Sequence, residues 1–314
     1  MITNTEEQVL PAATRACGCE ACKRRKGEPT TIAHGTIHPY TSRPSGGWRA
    51  KRNRAEDPAA PTFGVELETH ILNRPSGMYA AEAAAWRASH ITAAEAVSAA
   101  EPARFWHAKH DGSVTGPEFA SQPATLAYWR RQRPALESMF KTLLHGGVRS
   151  HEGDTAGMHI NIGTGAFESA EHLDRFLSLV ITDVDWTRRM AQRSPFSFRQ
   201  WCAPSEVESS HLFIARSVMA FGYCRTSNTS IVNTSHRGRI EFRAPRGTLR
   251  IDRFFAKLEW VAAMVEYTRS VQPVYTVDRF MVWAVGSGEY PELARYFEER
   301  FNARLQRALT AISI

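Results

Sequence analysis

Three short segments in which apolar and polar side chains alternate place the strongest constraint on the fold of this chain. Residues 63–68 read FGVELE, residues 157–162 read GMHINI and residues 239–243 read RIEFR. Because successive side chains of a strand point to opposite faces, each segment predicts a strand with one apolar and one polar face. The polar faces carry Glu, His, Asn and Arg, a narrower set than solvated strands usually show. This favours a functional site over the simpler alternative of a sheet face that only meets water.

Helical patterns separate these strands. Amphipathic or alanine-rich periodicity predicts helices over residues 79–100, 124–144, 170–192, 209–220, 251–271 and 290–311, and further short strands near 104–110, 117–121 and 230–234. Short strands interrupted by helices and long loops indicate an α+β fold with an antiparallel or mixed sheet. No window approaches the run of about 18 apolar residues that a membrane helix needs, and the acidic start does not resemble a secretion signal. We therefore expect a cytoplasmic protein.

Residues 1–57 differ in composition from the rest and predict a basic, cysteine-containing arm or small metal-binding module before a catalytic domain at 58–314. Cys17, Cys19 and Cys22 form a partial zinc signature, and a closed structural site needs a fourth ligand, which His34 or His38 would supply. Reduced, exposed thiols are the alternative interpretation.

Arginine dominates the positive charge of the chain. Only six of the 39 basic residues are lysines, and the formal net charge is +7. Arginine favours bidentate contact with phosphate or carboxylate groups, so the composition favours an anionic partner, nucleic acid included. A solvated basic surface is the alternative.

Carboxylates gather on the predicted polar faces. Glu66 and Glu68 share one face of the first strand, Glu241 lies on the last, and the turn at 110–118 adds Asp111 and Glu118. If the five converge, they cannot all stay ionised unless protons or cations neutralise them. Oxygen ligands favour Mg²⁺ or Mn²⁺ over Zn²⁺. The sequence therefore predicts a divalent-cation site.

Several common catalytic motifs are absent from the sequence. It contains no Gly-x₄-Gly-Lys-[Ser/Thr] loop, which excludes a P-loop nucleotide site. The absence of a Gly-x-Ser-x-Gly elbow and of a His-Glu-x₂-His helix argues against serine hydrolases and zincins.

Four segments, FGVELE, HDGSVTGPEFASQP, GMHINIG and RGRIEFRAPRGTL, occur in that order within residues 60–260. Together they resemble the amidoligase branch, common in phages and bacterial gene clusters, of the glutamine synthetase/glutamate–cysteine ligase (carboxylate–amine ligase) superfamily. The resemblance implies a glutamine-synthetase-like catalytic domain of α+β class, with a curved, mainly antiparallel sheet backed by helices.

The same resemblance implies an ATP-dependent ligase that joins a carboxylate to an amine through an acyl phosphate, with two Mg²⁺ or Mn²⁺ ions. It implies one ion held by Glu66, His159 and Glu241 and a second held by Glu68, Asp111 and Glu118. Asn161 would approach the nucleotide phosphates. Arg239 and Arg243 would neutralise the charge of the transferring phosphoryl group. The resemblance also places Glu68 among the catalytic residues. Asn161 departs from the family, whose His-x-His has a second histidine at this position.

Substrate identity and oligomeric state stay open at this level. The acid and amine could be amino acids, peptides or modified nucleotides. Two functions from other classes compete with the ligase: a nucleic-acid-binding protein that uses the basic arm, and a metal-dependent hydrolase that uses the same carboxylates without a nucleotide.

Overall fold

The computed structural model describes residues 30–32, 35–37, 50–52, 56–71, 105–110, 114, 116–150, 155–271 and 274–312. Several predicted features lie outside these residues: the helix at 79–100, the acidic-turn residue Asp111, and the zinc-ligand candidates Cys17, Cys19, Cys22 and His34.

The described strands form three sheets. Their bounds are β1 Thr30–Ile32, β2 Gly35–Ile37, β3 Phe63–Leu67, β4 His70–Ile71, β5 Trp106–His110, β6 Pro117–Ser121, β7 Val148–Arg149, β8 Met158–Gly163, β9 Val232–Asn233 and β10 Arg239–Phe242. Strands β1 and β2 form one two-stranded sheet, and β4 and β7 form another.

The main sheet has six strands in the order β5–β6–β3–β8–β10–β9, and every neighbouring pair is antiparallel. Strand β8 is central, because it pairs with β3 on one side and with β10 on the other. This arrangement confirms the α+β class with an antiparallel sheet.

Nine α-helices lie in the described part of the chain. They are α1 Leu126–Arg131, α2 Arg133–His145, α3 Ala170–Thr182, α4 Val184–Ala191, α5 Pro195–Trp201, α6 Ser205–Phe221, α7 Ile251–Tyr267, α8 Val277–Gly286 and α9 Pro291–Ile312. None of these helices combines the length and the apolar composition that crossing a membrane requires.

Helices cover the apolar face of the main sheet. Phe242 of β10 contacts Trp260 of α7 at a ring-centroid distance of 5.1 Å and Phe176 of α3 at 6.5 Å. Trp129 of α1 donates its indole N–H to the Phe63 carbonyl oxygen at 2.8 Å, which ties that helix to β3. The burial of these aromatic rings on one face leaves the opposite face to the polar side chains.

Two predicted helices are each divided in the structure. The helix expected at 124–144 breaks at Gln132, because Pro134 in the first turn of α2 has no N–H to donate to the preceding turn. The helix expected at 170–192 breaks at Asp183, whose backbone is non-helical (φ −140°, ψ 89°) and whose carboxylate accepts from the Trp186 N–H at 2.9 Å. An aspartate that caps a new helix competes with continuation of the old one. Helices α5 and α8 were not predicted.

The segment just before residue 58 packs against the start of α1. Lys51 N–H donates to Pro123 O at 2.7 Å, and Thr125 N–H donates to Lys51 O at 3.1 Å. The Thr125 hydroxyl donates to Glu56 Oε1 at 2.7 Å.

Candidate metal centre

The strand register brings the predicted polar residues onto one face of the main sheet. Glu66 of β3 lies opposite His159 of β8, and Glu241 of β10 lies opposite Asn161 of β8 and Asn233 of β9. The alternation read from the sequence therefore agrees with the pairing in three dimensions.

Glu66, His159 and Glu241 form the one group of potential metal ligands found among the described residues. One ligand atom from each lies within 4.8 Å of the other two, and His159 Nδ1 is 3.2 Å from Glu241 Oε1. Two ligands about 2.1 Å from a cation are at most about 4.2 Å apart, so a small contraction would let all three atoms bind one ion. The two carboxylates supply the oxygen ligands that Mg²⁺ and Mn²⁺ prefer, and the imidazole is a donor that Zn²⁺ and Fe²⁺ also accept.

Arginine side chains already neutralise these carboxylates. Arg243 Nη1 lies 2.5 Å from Glu241 Oε1 and 3.5 Å from His159 Nδ1. Arg239 Nη1 lies 3.2 Å from Glu66 Oε1. Arginine charge therefore supplies part of the compensation that these carboxylates need. The Arg243 guanidinium group contacts two candidate ligands, a position that a cation would have to share.

The Glu241–Arg243 pair is charged on both sides. Burial alone would raise the pKa of Glu241, but the hydrogen bond and charge of His159, with the charges of Arg243 and Arg239, hold it well below its usual value. Burial alone would lower the pKa of Arg243, but the charges of Glu241 and Glu68 raise it overall. Glu241 therefore stays ionised, as a metal ligand must be.

Two residues of the second predicted ligand set, Glu68 and Glu118, lie among the described residues, and the third, Asp111, lies outside them. Glu68 lies just beyond β3, where its Oε2 accepts from the Gly157 N–H at 2.5 Å and its Oε1 is 3.7 Å from His159 Nε2. Glu118 of β6 forms a buried ion pair with Lys109 of β5, with a distance of 2.9 Å from Nζ to Oε1. A cation at Glu118 would have to compete with this lysine.

Gly157 allows the His159 ring to approach the backbone. A Cβ atom at position 157 would lie 2.6 Å from His159 Nε2 and 3.0 Å from Arg193 Nη2, so any side chain would displace one of them. Arg193 is buried and donates from Nε to Ala244 O at 2.9 Å. It therefore holds the segment after β10 and lies beside Gly157.

Sequence reasoning missed two residues beside Glu241. Asn233 Nδ2 donates to Glu241 Oε2 at 3.0 Å, and His236 Nε2 lies 3.9 Å from the same oxygen. Burial, followed by the charge of Arg239, lowers the pKa of His236. The signal that could have found Asn233 is the predicted strand at 230–234, because its pairing with RIEFR places Asn233 opposite Glu241.

Exposure increases in one direction across the site. The Glu241 side chain is 3% exposed, that of Arg239 is 37% exposed and that of His236 is 50% exposed. The accessible side of the cluster therefore lies toward the turn between β9 and β10.

Comparison with known proteins identifies no family. No protein-family model matches the chain, and no curated protein matches it. Among solved structures, a complex between the prokaryotic ubiquitin-like protein Pup and its ligase PafA aligns with a TM-score of 0.33 and 12% identity. The alignment covers 80% of this chain and 62% of that chain, so this chain spans less than two thirds of its neighbour's length. A likeness of this size does not identify the fold.

Proposed function

We propose that this protein is a divalent-cation- and ATP-dependent carboxylate–amine ligase. The observation that carries the proposal is the meeting of Glu66, His159 and Glu241, from three adjacent strands, with arginines on the same carboxylates. The four sequence segments that resemble amidoligases, in the family's order, support the same reaction class.

In this proposal, Glu66, His159 and Glu241 hold the cation at the transferring phosphate. The cation supplies positive charge that stabilises phosphoryl transfer. Glu68 is proposed as the carboxylate nearest the acyl group. A second ion at Glu68, Asp111 and Glu118 remains part of the proposal, although Lys109 already neutralises Glu118.

Arg239 and Arg243 are proposed to bind the negative charge of the reactants. Arg243 Nε is buried and donates to no acceptor in the part of the chain that the structure describes. An unused buried donor is costly and is satisfied when an anionic oxygen arrives. Arg239 is the more exposed of the two and lies on the accessible side, where the anion would enter.

The proposed reaction has two steps. A carboxylate oxygen of the acid substrate attacks the γ-phosphorus of ATP, which forms an acyl phosphate and releases ADP. The amine nitrogen then attacks the acyl carbon, forms the amide, loses a proton and expels inorganic phosphate. Acids and amines of the amino-acid, peptide or modified-nucleotide classes fit this scheme.

The test measures ADP release by the full chain with Mg²⁺ or Mn²⁺ and ATP, against a panel of acids and amines. We expect ADP formation that requires one acid and one amine, and that Glu241→Gln abolishes. The matched control is Arg250→Ala, which removes an exposed pair with Asp252 and should retain activity.

Two outcomes would assign a different function. Amide hydrolysis that needs the cation but no nucleotide would establish the hydrolase. Nucleic-acid binding with a steep salt dependence and no ADP release would establish the binding protein.

A further inference from the structure

Two buried asparagines flank the Glu66–His159–Glu241 cluster with the same hydrogen bond. Asn161 Nδ2 donates to Glu66 Oε1 at 3.1 Å, and Asn233 Nδ2 donates to Glu241 Oε2 at 3.0 Å. Their side chains are at least nine-tenths buried, with residue exposures of 9% and 2%. An ionised carboxylate only accepts hydrogen bonds, so in each amide the nitrogen faces the carboxylate and the orientation of the oxygen follows.

The two amide oxygens differ in their partners. Asn233 Oδ1 accepts from Ser235 N at 3.0 Å and from the Thr226 hydroxyl at 3.4 Å. Asn161 Oδ1 is fully buried and accepts nothing from the residues that the structure describes. A buried acceptor without a partner destabilises the folded state. This difference indicates that Asn161 Oδ1 is kept for a ligand.

The chemistry of the oxygen restricts that ligand. An amide oxygen carries partial negative charge and no proton, so it repels a phosphate oxygen and attracts a cation or a donor. Asn161 lies opposite Glu241 in the register of β8 with β10, and its Nδ2 contacts Glu66. On the β3 side it lies opposite Gly64, which adds no side chain there. The Asn161 side chain therefore lies beside the two carboxylates of the cluster.

We propose that Asn161 Oδ1 is a fourth ligand of the divalent cation held by Glu66, His159 and Glu241. Two carboxylates and two neutral donors balance the charge of a divalent ion, and an added oxygen suits Mg²⁺ or Mn²⁺. The assignment replaces the expectation that Asn161 contacts nucleotide phosphates. It rests on the cation site of the proposed function, and it needs neither ATP nor amide formation.

The first experiment measures Mn²⁺ affinity of the full chain by calorimetry without nucleotide. Asn161→Ala and Asn233→Ala each remove one hydrogen bond to a cluster carboxylate, but only Asn161→Ala removes the proposed ligand. We expect Asn161→Ala to weaken Mn²⁺ binding about tenfold more than Asn233→Ala does. Equal losses in the two variants would overturn the assignment, because the shared hydrogen bond would then account for both.

The second experiment detects ligation directly. Asn161→Cys places a thiol at the proposed ligand position, and soft thiolates favour Cd²⁺. After subtraction of the wild-type spectrum, Cd²⁺ should produce a sulfur-to-metal charge-transfer absorption in Asn161→Cys and not in Asn233→Cys. Folding is checked by melting in EDTA. The absence of this band in folded Asn161→Cys would overturn the assignment.

The ligase proposal and the assignment of Asn161 as a ligand can fail independently of each other. Suppose that wild type binds Mn²⁺, that Glu241→Gln does not, and that no substrate pair gives ADP release. The ligase proposal is then wrong, and the Asn161 variants still decide the ligand assignment. If wild type binds no Mn²⁺ that depends on Glu241, the ligand assignment falls.

Discussion

At the scale of single residues, replacing Arg243 should change the cation affinity and the turnover in opposite directions. Its Nη1 contacts Glu241 Oε1 at 2.5 Å and His159 Nδ1 at 3.5 Å, both candidate metal ligands. Arg243→Ala removes a charge that competes with the cation, so Mn²⁺ affinity should rise or stay unchanged. The same change removes a donor for the anionic reactant, so turnover should fall by about 10²-fold. Calorimetry and ADP release measure the two effects.

Arg250→Ala is the control, since it removes an exposed arginine whose partner is Asp252 and not a residue of the cluster. It should change neither measurement. Weaker Mn²⁺ binding in Arg243→Ala would mean that the guanidinium group supports the ligands instead of competing with the cation.

The alternation of side chains predicted the polar face of the sheet. It did not predict which residues of different strands form ion pairs on that face. Arg239 and Glu66 are 173 positions apart in the chain, and their ion pair depends on the order of the strands between them. Local periodicity carries no information on which strands become neighbours. The Lys109–Glu118 pair was not predicted either, because it depends on the register of β5 against β6.

At the scale of elements, Glu259 of α7 attaches the start of α9. Its Oε2 accepts from the N–H groups of Glu292 and Leu293 at 2.8 and 3.0 Å, and its Oε1 accepts from Arg130 Nη2 at 2.9 Å. Glu259→Ala leaves these donors without their acceptor and should lower the free energy of unfolding by about 3 kcal/mol. Urea denaturation measures the change.

The control is Glu137→Ala, which breaks a partly exposed pair with Arg133 and should cost less than about 1 kcal/mol. A loss in Glu259→Ala no larger than in this control would show that α9 is held by its apolar contacts alone.

The pH dependence of this contact follows from the same burial. Burial raises the pKa of Glu259 above its ordinary value of 4.5, although the N–H donors and Arg130 oppose the shift. The native state therefore holds this proton more tightly than the unfolded chain, so the contribution of Glu259 to stability falls as pH rises from about 4.5 to the folded pKa. Glu259→Gln should lack this decline. Parallel curves for wild type and Glu259→Gln in urea would contradict the expected sign.

Helix boundaries show where sequence patterns stop being sufficient. Apolar periodicity continues across Gln132 and across Asp183, so the sequence predicts one helix where the structure has two. At the first break the responsible residue is Pro134, and at the second it is the side chain of Asp183. Asp183 is held by Arg304 of α9 at 2.7 Å, a tertiary contact that periodicity does not contain.

At the scale of the whole molecule, the internal ion pairs predict a protein that is folded without metal and is stabilised further by it. Mn²⁺ should raise the melting temperature, because a ligand at about 100 times its Kd adds about 2.7 kcal/mol to the native state. Glu66→Gln should weaken this response while leaving the melting temperature in EDTA close to that of wild type, since its Arg239 partner is partly exposed. Scanning calorimetry with and without MnCl₂ measures both. An unchanged response in Glu66→Gln would remove Glu66 from the ligand set.

The order of strands in the main sheet has a consequence for the time course of folding. The site requires β3 beside β8 and β8 beside β10, and its contacts span 95 positions between Asn161 and Glu66 and 84 between Arg243 and His159. Loops of this length close late and slowly. The proposed cation site therefore forms only after β3, β8 and β10 have paired. A bound ion is therefore expected to leave the folding rate unchanged and to slow unfolding.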